Sequence, residues 1–309
     1  MTGSGSATVC YALEESYMGT LVDSDSDGTT DWIQPGMDVT VGDLTVEQAL
    51  ERRRQPDDPT PAGSREGNWE GALSVSFALT DDNWHDLVFA DGGTALPNSP
   101  MRAPSSTWYL AVEMPDGTVE ERTPTGAIVQ DATVSYEQGS DIQVELTLLY
   151  GDEPSTVTAP ADGDITKPSD ADVFTWHGAS FDVDGLSQPL MQSTTLSLSG
   201  LARFRRGQDR HPYDAVVDAI EPSFSTDAIF TERDQLTAAV DDTAGTDGPV
   251  GKVPATFSLE NGQGDTIEYS LTECQPTSYS WADLVAPDAD LSEPIDYHVA
   301  DVSATTTTA

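Results

Sequence analysis

Apolar and polar residues alternate with a period of two along much of the chain, the pattern of strands with one face buried and the other in water. Residues 72–79 (ALSVSFAL), 108–114, 132–136, 142–150 (IQVELTLLY), 194–204 (TTLSLSGLARF), 255–259 and 266–272 carry it. Asp116-Gly117, Gln138-Gly139, Asp184-Gly185 and Asn261-Gly262 punctuate the runs as turn pairs, and Asn261-Gly262-Gln263-Gly264, set between two alternating segments, is the sharpest hairpin signal. The expected fold is mainly β: an antiparallel, sandwich- or barrel-like unit.

Helical periodicity is confined to three places. Residues 46–54 (VEQALERRR) follow Thr45 as an N-cap, with Gln48 in the capping-box position. Residues 82–89 (DNWHDLVF) gather Trp84, Leu87 and Val88 on one face, and residues 229–240 suit a third helix. One or two short helices flanking the sheets are therefore expected. The connections are long and acidic: residues 55–67 (QPDDPTPAGSREG), 151–172 and 241–251. Long loops on a β scaffold carry function or reach a neighbour. The chain divides into an N-terminal strand with an acidic loop (1–36), a helix with an extended loop (37–70), a first group of strands (71–150), an acidic hinge or loop (151–172) and a second group of strands (173–309).

Charge changes the picture most. Thirteen Lys plus Arg stand against fifty-four Asp plus Glu, a formal charge of −41. Such a chain repels itself in dilute buffer, whereas at molar salt the Debye length falls to about 3 Å and the carboxylates mainly hold water and cations. The composition reads as an adaptation to brine. Only Lys167 and Lys252 are lysines; the remaining cations are arginines, better suited to paired contacts. With no positively charged, apolar leader at the start and no run long enough for a membrane span, a soluble protein made in the cytoplasm is expected. Cys10 and Cys274 are either two buried thiols or one bridge tying an early strand to a late one.

No catalytic constellation is legible. His85, His177, His211 and His298 lie in four unrelated contexts, and there is no nucleophile elbow, P-loop or dinucleotide fingerprint. No cofactor is required. One stretch has ligand spacing: Asp23, Asp25 and Asp27, then Gly28, the Thr29 carbonyl and Asp31, the oxygen pattern of a calcium loop. Gln34 stands where the closing glutamate would fall, so the stretch is either a site for Ca²⁺ or Mg²⁺ or a solvated acidic turn. Arginines concentrate at Arg52, Arg53, Arg54 and Arg65, and at Arg203, Arg205, Arg206 and Arg210. The global field opposes phosphate binding there, so these side chains are expected to meet carboxylates of adjacent subunits.

Three stretches together resemble the tail tube proteins of siphovirus-like tailed viruses, those of haloarchaea in particular: residues 32–89 (WIQPGMDVTVGDLTVEQALERRRQPDDPTPAGSREGNWEGALSVSFALTDDNWHDLVF), 139–154 (GSDIQVELTLLYGDEP) and 176–207, which includes WHGASFDVDG and QSTTLSLSGLARFRRG. The resemblance covers most of the chain as an order of elements. The DSDSDG stretch and residues 151–172 depart from it, and nothing is carried over to them. It implies a β-sandwich with a flanking helix, six copies per ring, rings stacked into a tube, inner-surface strands joining around the lumen, and a long loop or arm reaching the next ring. It also implies a place in the virion tail, with the tape measure, terminator and baseplate proteins as partners, and duplex DNA passing through unbound. The competing expectations are another structural virion protein (a tail terminator, capsid decoration or fibre module) and a halophilic β-sandwich hydrolase or binding module.

Overall fold

The computed structural model describes residues 7–24, 26, 28–97, 102–155, 159–183, 186–187, 190–231, 252–282 and 290–309. Strands dominate. Twelve of them form one sheet in which β3 (Met37–Glu47), β6 (Glu70–Ala78), β10 (Gln143–Tyr150), β9 (Ile128–Glu137), β14 (Met191–Ser199), β17 (Glu221–Ile229) and β20 (Ser292–His298) lie side by side in that order. Beyond β20 the sheet continues through β19 (Thr266–Tyr279), β18 (Val253–Glu260), β12 (Ala179–Val183) and β13 (Leu186–Ser187), with β21 (Asp301–Thr307) also paired to β19. Every pairing in it is antiparallel.

The sheet closes over on itself. β12 stands four strands from β17 along the hydrogen-bonded order, a separation of about 19 Å in a flat sheet. Yet the Phe181 and Phe224 rings lie 4.7 Å apart. The two arms of the sheet thus form facing layers, and Phe181, Phe224, Phe257 and Tyr269 fill the space between them. A second sheet, containing β1 (Ala7–Leu13), β2 (Trp32–Ile33), β7 (Ser106–Glu113), β8 (Val119–Arg122) and β11 (Ile165–Thr166), extends this core. Alternation decides which way its residues point: Tyr11 and Trp108 stack at 5.1 Å on the main core, while Cys10, Ala12, Tyr109 and Ala111 join Trp32 and Ile165 in a smaller cluster behind. Cys10 and Cys274 are both free and buried, so the buried-thiol reading holds and the bridge does not.

Three helical expectations fare differently. Residues 83–87 form a short 3₁₀ helix that buries Trp84 and Leu87 as expected, and His85 with them. The segment 229–240 begins at the last residue of β17, and from residue 232 onward it lies outside the described residues, as does the whole of the loop 241–251. The helix over residues 46–54 is absent: β3 runs to Glu47, and β4 (Glu51–Arg54) pairs with β5 (Pro61–Arg65). The backbone that should have opened that helix is already committed. Thr45 pairs with Ala72 in the ladder, its carbonyl accepts the Tyr150 hydroxyl at 2.9 Å, and the Leu44 carbonyl accepts from Arg122 at 2.9 Å. Tertiary contacts override local propensity here. The loop expected at 55–67 is correspondingly the turn and return strand of a hairpin.

His85 gives the core a pH dependence. Its Nε2 lies 2.9 Å from the Tyr269 hydroxyl, and burial pushes its pKa down from 6.5 to about 4, with Asp82 pulling the other way. Between those values the unfolded chain binds a proton that the folded chain excludes, so the contribution is fully present above pH 6.5 and is lost as pH falls towards 4. Across that window wild type loses about 3 kcal/mol from this group. Burial raises the carboxyl pKa values of Asp81 and Asp86, and these act in the opposite direction. The difference between wild type and His85→Gln isolates the imidazole: urea titrations at pH 7 and pH 4.5 should show a smaller acid loss in the variant. Parallel losses would show that His85 is not protonated on unfolding.

Candidate assembly site

Beyond the pair Glu47 and Glu70, the β3–β6 hairpin leaves the body as a projecting arm built from β4 and β5. Its register sets Glu51 opposite Arg65, Arg52 opposite Ser64 and Arg53 opposite Gly63. Every residue of both strands is exposed. At the tip, the Asp58 carboxylate accepts from the Thr60 amide at 2.8 Å and hydroxyl at 2.6 Å, and Arg54 reaches the Pro59 carbonyl. Ten residues of strand and turn on each side give a reach of about 30 Å.

The root of the arm is clamped twice. On one side Arg122 of β8 forks onto Glu153, with both contacts at 2.6 Å, and also donates to the Leu44 carbonyl and the Tyr150 hydroxyl. Glu153 keeps the guanidinium charged and pushes its pKa up. Gly71 is required beside this cluster, because a Cβ there would stand 2.5 Å from the Tyr150 ring. On the other side, the hairpin of β15 (Ala202–Arg206) and β16 (Pro212–Val217) supplies Arg206 and Arg210. Arg210 pairs with Glu66 at 2.6 Å and donates to Gly67 and Gln48, while Arg206 meets Glu70 and the Trp69 carbonyl. Trp69 is buried between Tyr150 and His211, whose ring centroids are each 5.3 Å away. β3 itself is bulged between Met37 and Thr40 and again between Val41 and Leu44, which bends the strand towards the arm.

Replacing Arg122 with Ala removes four donor contacts and leaves Glu153 beside a buried tyrosine. The Arg122 side chain is 37% exposed, so solvent screening limits the loss to about 1–2 kcal/mol. Arg122→Lys should recover only part of it, because an ammonium cannot fork. Urea unfolding of the three proteins checks the order; a lysine variant as stable as wild type would show that the fork is dispensable.

The sequence-predicted residues are distributed as follows. Arg52, Arg53, Arg54 and Arg65 lie on the arm. Arg203 pairs with Asp218 at 3.0 Å, Arg206 clamps the root, and Arg205 is exposed on β15. In the acidic stretch, the Asp23 carboxylate accepts from the Gly28 amide and Asp31 from the Ser24 amide, whereas Asp25 and Asp27 lie outside the described residues. Among the described residues no group of three or more His, Cys, Asp or Glu side chains is placed to hold a metal ion, and no helix is long and apolar enough to cross a membrane. Sequence reasoning passed over Arg122, Glu153, Tyr150 and Trp69. They are far apart in sequence and meet where the ends of β8 and β10 converge on the arm root.

A groove of about 550 Å³ runs beside the root, lined by Val39, Val41 and Leu44 of β3, Val9 of β1 and Val112 of β7, with Glu120 and Glu121 among its lining residues. An exposed arm and an apolar groove on one chain are the parts of a self-associating subunit. The sequence profile of phage tail tube proteins matches residues 5–299 of the 309. The chain belongs to the phage tail tube protein family. It is a structural component of a viral tail, and membership implies assembly with itself and with other tail proteins. No curated protein matches the chain.

Proposed function

We propose that the chain is the major, non-enzymatic subunit of a siphovirus-like tail tube whose host lives in concentrated salt. Copies join side by side into rings, six to a ring as the resemblance implies, and the rings stack around a conduit for duplex DNA. The arm carries this reading. A two-stranded ribbon exposed on both faces is at best marginally stable alone in water, and its helix-forming sequence disagrees with its strand geometry, so a neighbour has to complete it. Its occupancy is the groove of the next copy: Leu50, 59% exposed, and Val46 supply apolar contact, while Arg52, Arg53 and Arg54 face Glu120 and Glu121. An arm seated in the groove of the next copy, with that copy's own arm free for a further one, is a head-to-tail contact, which propagates as an open stack. The charge of −41 supports the saline host. At its ends the tube meets terminator, tape measure and baseplate proteins, after synthesis in the host cytoplasm.

Electron microscopy of the purified protein in molar salt tests the proposal. Long cylinders of uniform width are the expected result. A closed ring or trimer that never elongates would instead indicate a terminator or a decoration protein.

A further inference from the structure

A sheet edge can take a strand from another chain, because its outward N–H and C=O groups have no ladder partner of their own. Among the described residues, most edges of the subunit body are guarded. β3 is bulged twice, β11 and β13 are two residues long, and bridges from Ala95 to Ser303 and from Arg102 to Val216 cover β21 and β16. β15 reads ARFRR and repels a cationic strand. β8 is different. Its four residues pair with β7 without a bulge, it stands last in its sheet, and no described strand lies on its outer side. Val119 is 53% exposed, and Glu120, Glu121 and Arg122 border the apolar groove.

The strand that matches this edge is on the arm. β4 is also four residues long, pairs only with β5, and is exposed throughout. Charge selects the register, since opposite charges directly across a ladder stabilise it and like charges destabilise it. Run antiparallel, ERRR against VEER sets Glu51 opposite Arg122, Arg52 opposite Glu121, Arg53 opposite Glu120 and Arg54 opposite Val119. Slipping that ladder by one residue sets Arg52 against Arg122 or Glu51 against Glu121. A slip of two sets Arg53 against Arg122 or Glu51 against Glu120. Parallel addition with all four residues overlapping sets Arg54 against Arg122, and it forms the weaker ladder. We infer that β4 of one subunit adds antiparallel to the outer edge of β8 in the next, in the one register free of like-charge pairs, as the sixth strand of that sheet. The inference rests on the tube reading above and supplies the arm's partner strand. Main-chain bonds give the contact its strength, and the side chains fix its alignment. Arg52 and Arg53 fall on opposite faces of the extended sheet, as do Glu121 and Glu120, so each guanidinium meets its own carboxylate. Leu50, one residue before Glu51, arrives beyond the Arg122 end of the edge, where Leu44 lines the groove. The two-stranded arm thereby becomes part of a larger sheet, which a ribbon needs for stability.

Cysteine pairs read the register. Opposed residues of an antiparallel ladder have Cα atoms about 4.5–5.5 Å apart, within the span of about 4.4–6.8 Å that a disulfide bridges. Arg53→Cys with Glu120→Cys in one chain should give covalently linked multimers when tubes in molar salt are oxidised. Arg53→Cys with Glu121→Cys places the second thiol on the opposite face and should link at least about tenfold more slowly. Cys10 and Cys274 are wholly buried, and burial pushes their thiols up to about 12 and about 11, so they do not compete. Hydrogen exchange on the unaltered protein reads the ladder itself and decides the matter where a cysteine variant fails to assemble. Residues 119–122 should exchange at least about tenfold more slowly in tubes than in subunits below the assembly concentration. Linking of the out-of-phase pair as fast as the opposed one, or unchanged exchange at residues 119–122 in well-formed tubes, would overturn the strand addition and leave the tube reading standing. If the unaltered protein forms no cylinders, the tube reading fails and the strand addition with it.

Discussion

Replacing Arg52, Arg53 and Arg54 together with glutamate should abolish elongation of the tube and leave the subunit folded. All three side chains are exposed on the arm, remote from the aromatic core that supplies stability, so the cost to folding should stay within about 0.5 kcal/mol per site. Assembly is another matter. Subunits this acidic approach one another only where opposite charge intervenes, and removing one member of a close interfacial pair costs about 2–5 kcal/mol. Three reversals exceed what a single arm contact supplies at micromolar subunit. A second change sharpens the test: Glu120, exposed at the groove, should partly restore elongation as Glu120→Arg in the same chain, because the repulsive pair becomes attractive again. Microscopy in molar salt reads elongation, and urea unfolding reads the fold. Wild-type tubes from the triple variant would remove the arm from the assembly mechanism, whereas failure of rescue alone would move its docking site away from the groove.

The sandwich was legible in the sequence because its information is local. Most alternating runs coincide with one strand: residues 72–79 overlap β6, residues 142–150 overlap β10, and residues 266–272 lie within β19. The run 194–204 was read as one strand and is two, broken where Gly200 takes a φ of +66° beneath the Ala219 carbonyl. At Asn261-Gly262 the turn is held as its composition suggests, by the Asn261 side chain accepting from the amides of Gln263 and Asp265 at 2.9 Å. The arm is not legible locally, for the opposite reason. VEQALERRR has helical periodicity and propensity, and what makes it a strand is far away in sequence: Tyr150 and Arg122 hold its entry, and Arg210 holds its exit. Residue type alone does not show that Arg206 and Arg210 pair with Glu70 and Glu66 of the chain's own arm root while Arg52, Arg53 and Arg54 lie exposed along β4.

Dilution should take the assembled tube apart. With −41 charges per subunit, every ring added to a stack brings carboxylates towards carboxylates. At molar salt the Debye length of about 3 Å confines each charge to its own surroundings, and at 0.1 M it reaches about 10 Å, across the whole of an interface. Apolar contacts between subunits, the proposed seating of Leu50 in the groove among them, weaken over the same range as salting-out ions are withdrawn, so both terms change in the same direction. The clamps at the arm root lie within one chain and are short, with Arg122 to Glu153 and Arg210 to Glu66 each at 2.6 Å. Screening touches them least. Rings should therefore separate before subunits unfold, giving a fall in light scattering at a salt concentration where circular dichroism still reports intact β structure. Adding back salt should restore the scattering. Tubes that persist at 0.1 M, or subunits that unfold before the tubes come apart, would show that the acidity serves something other than assembly in brine.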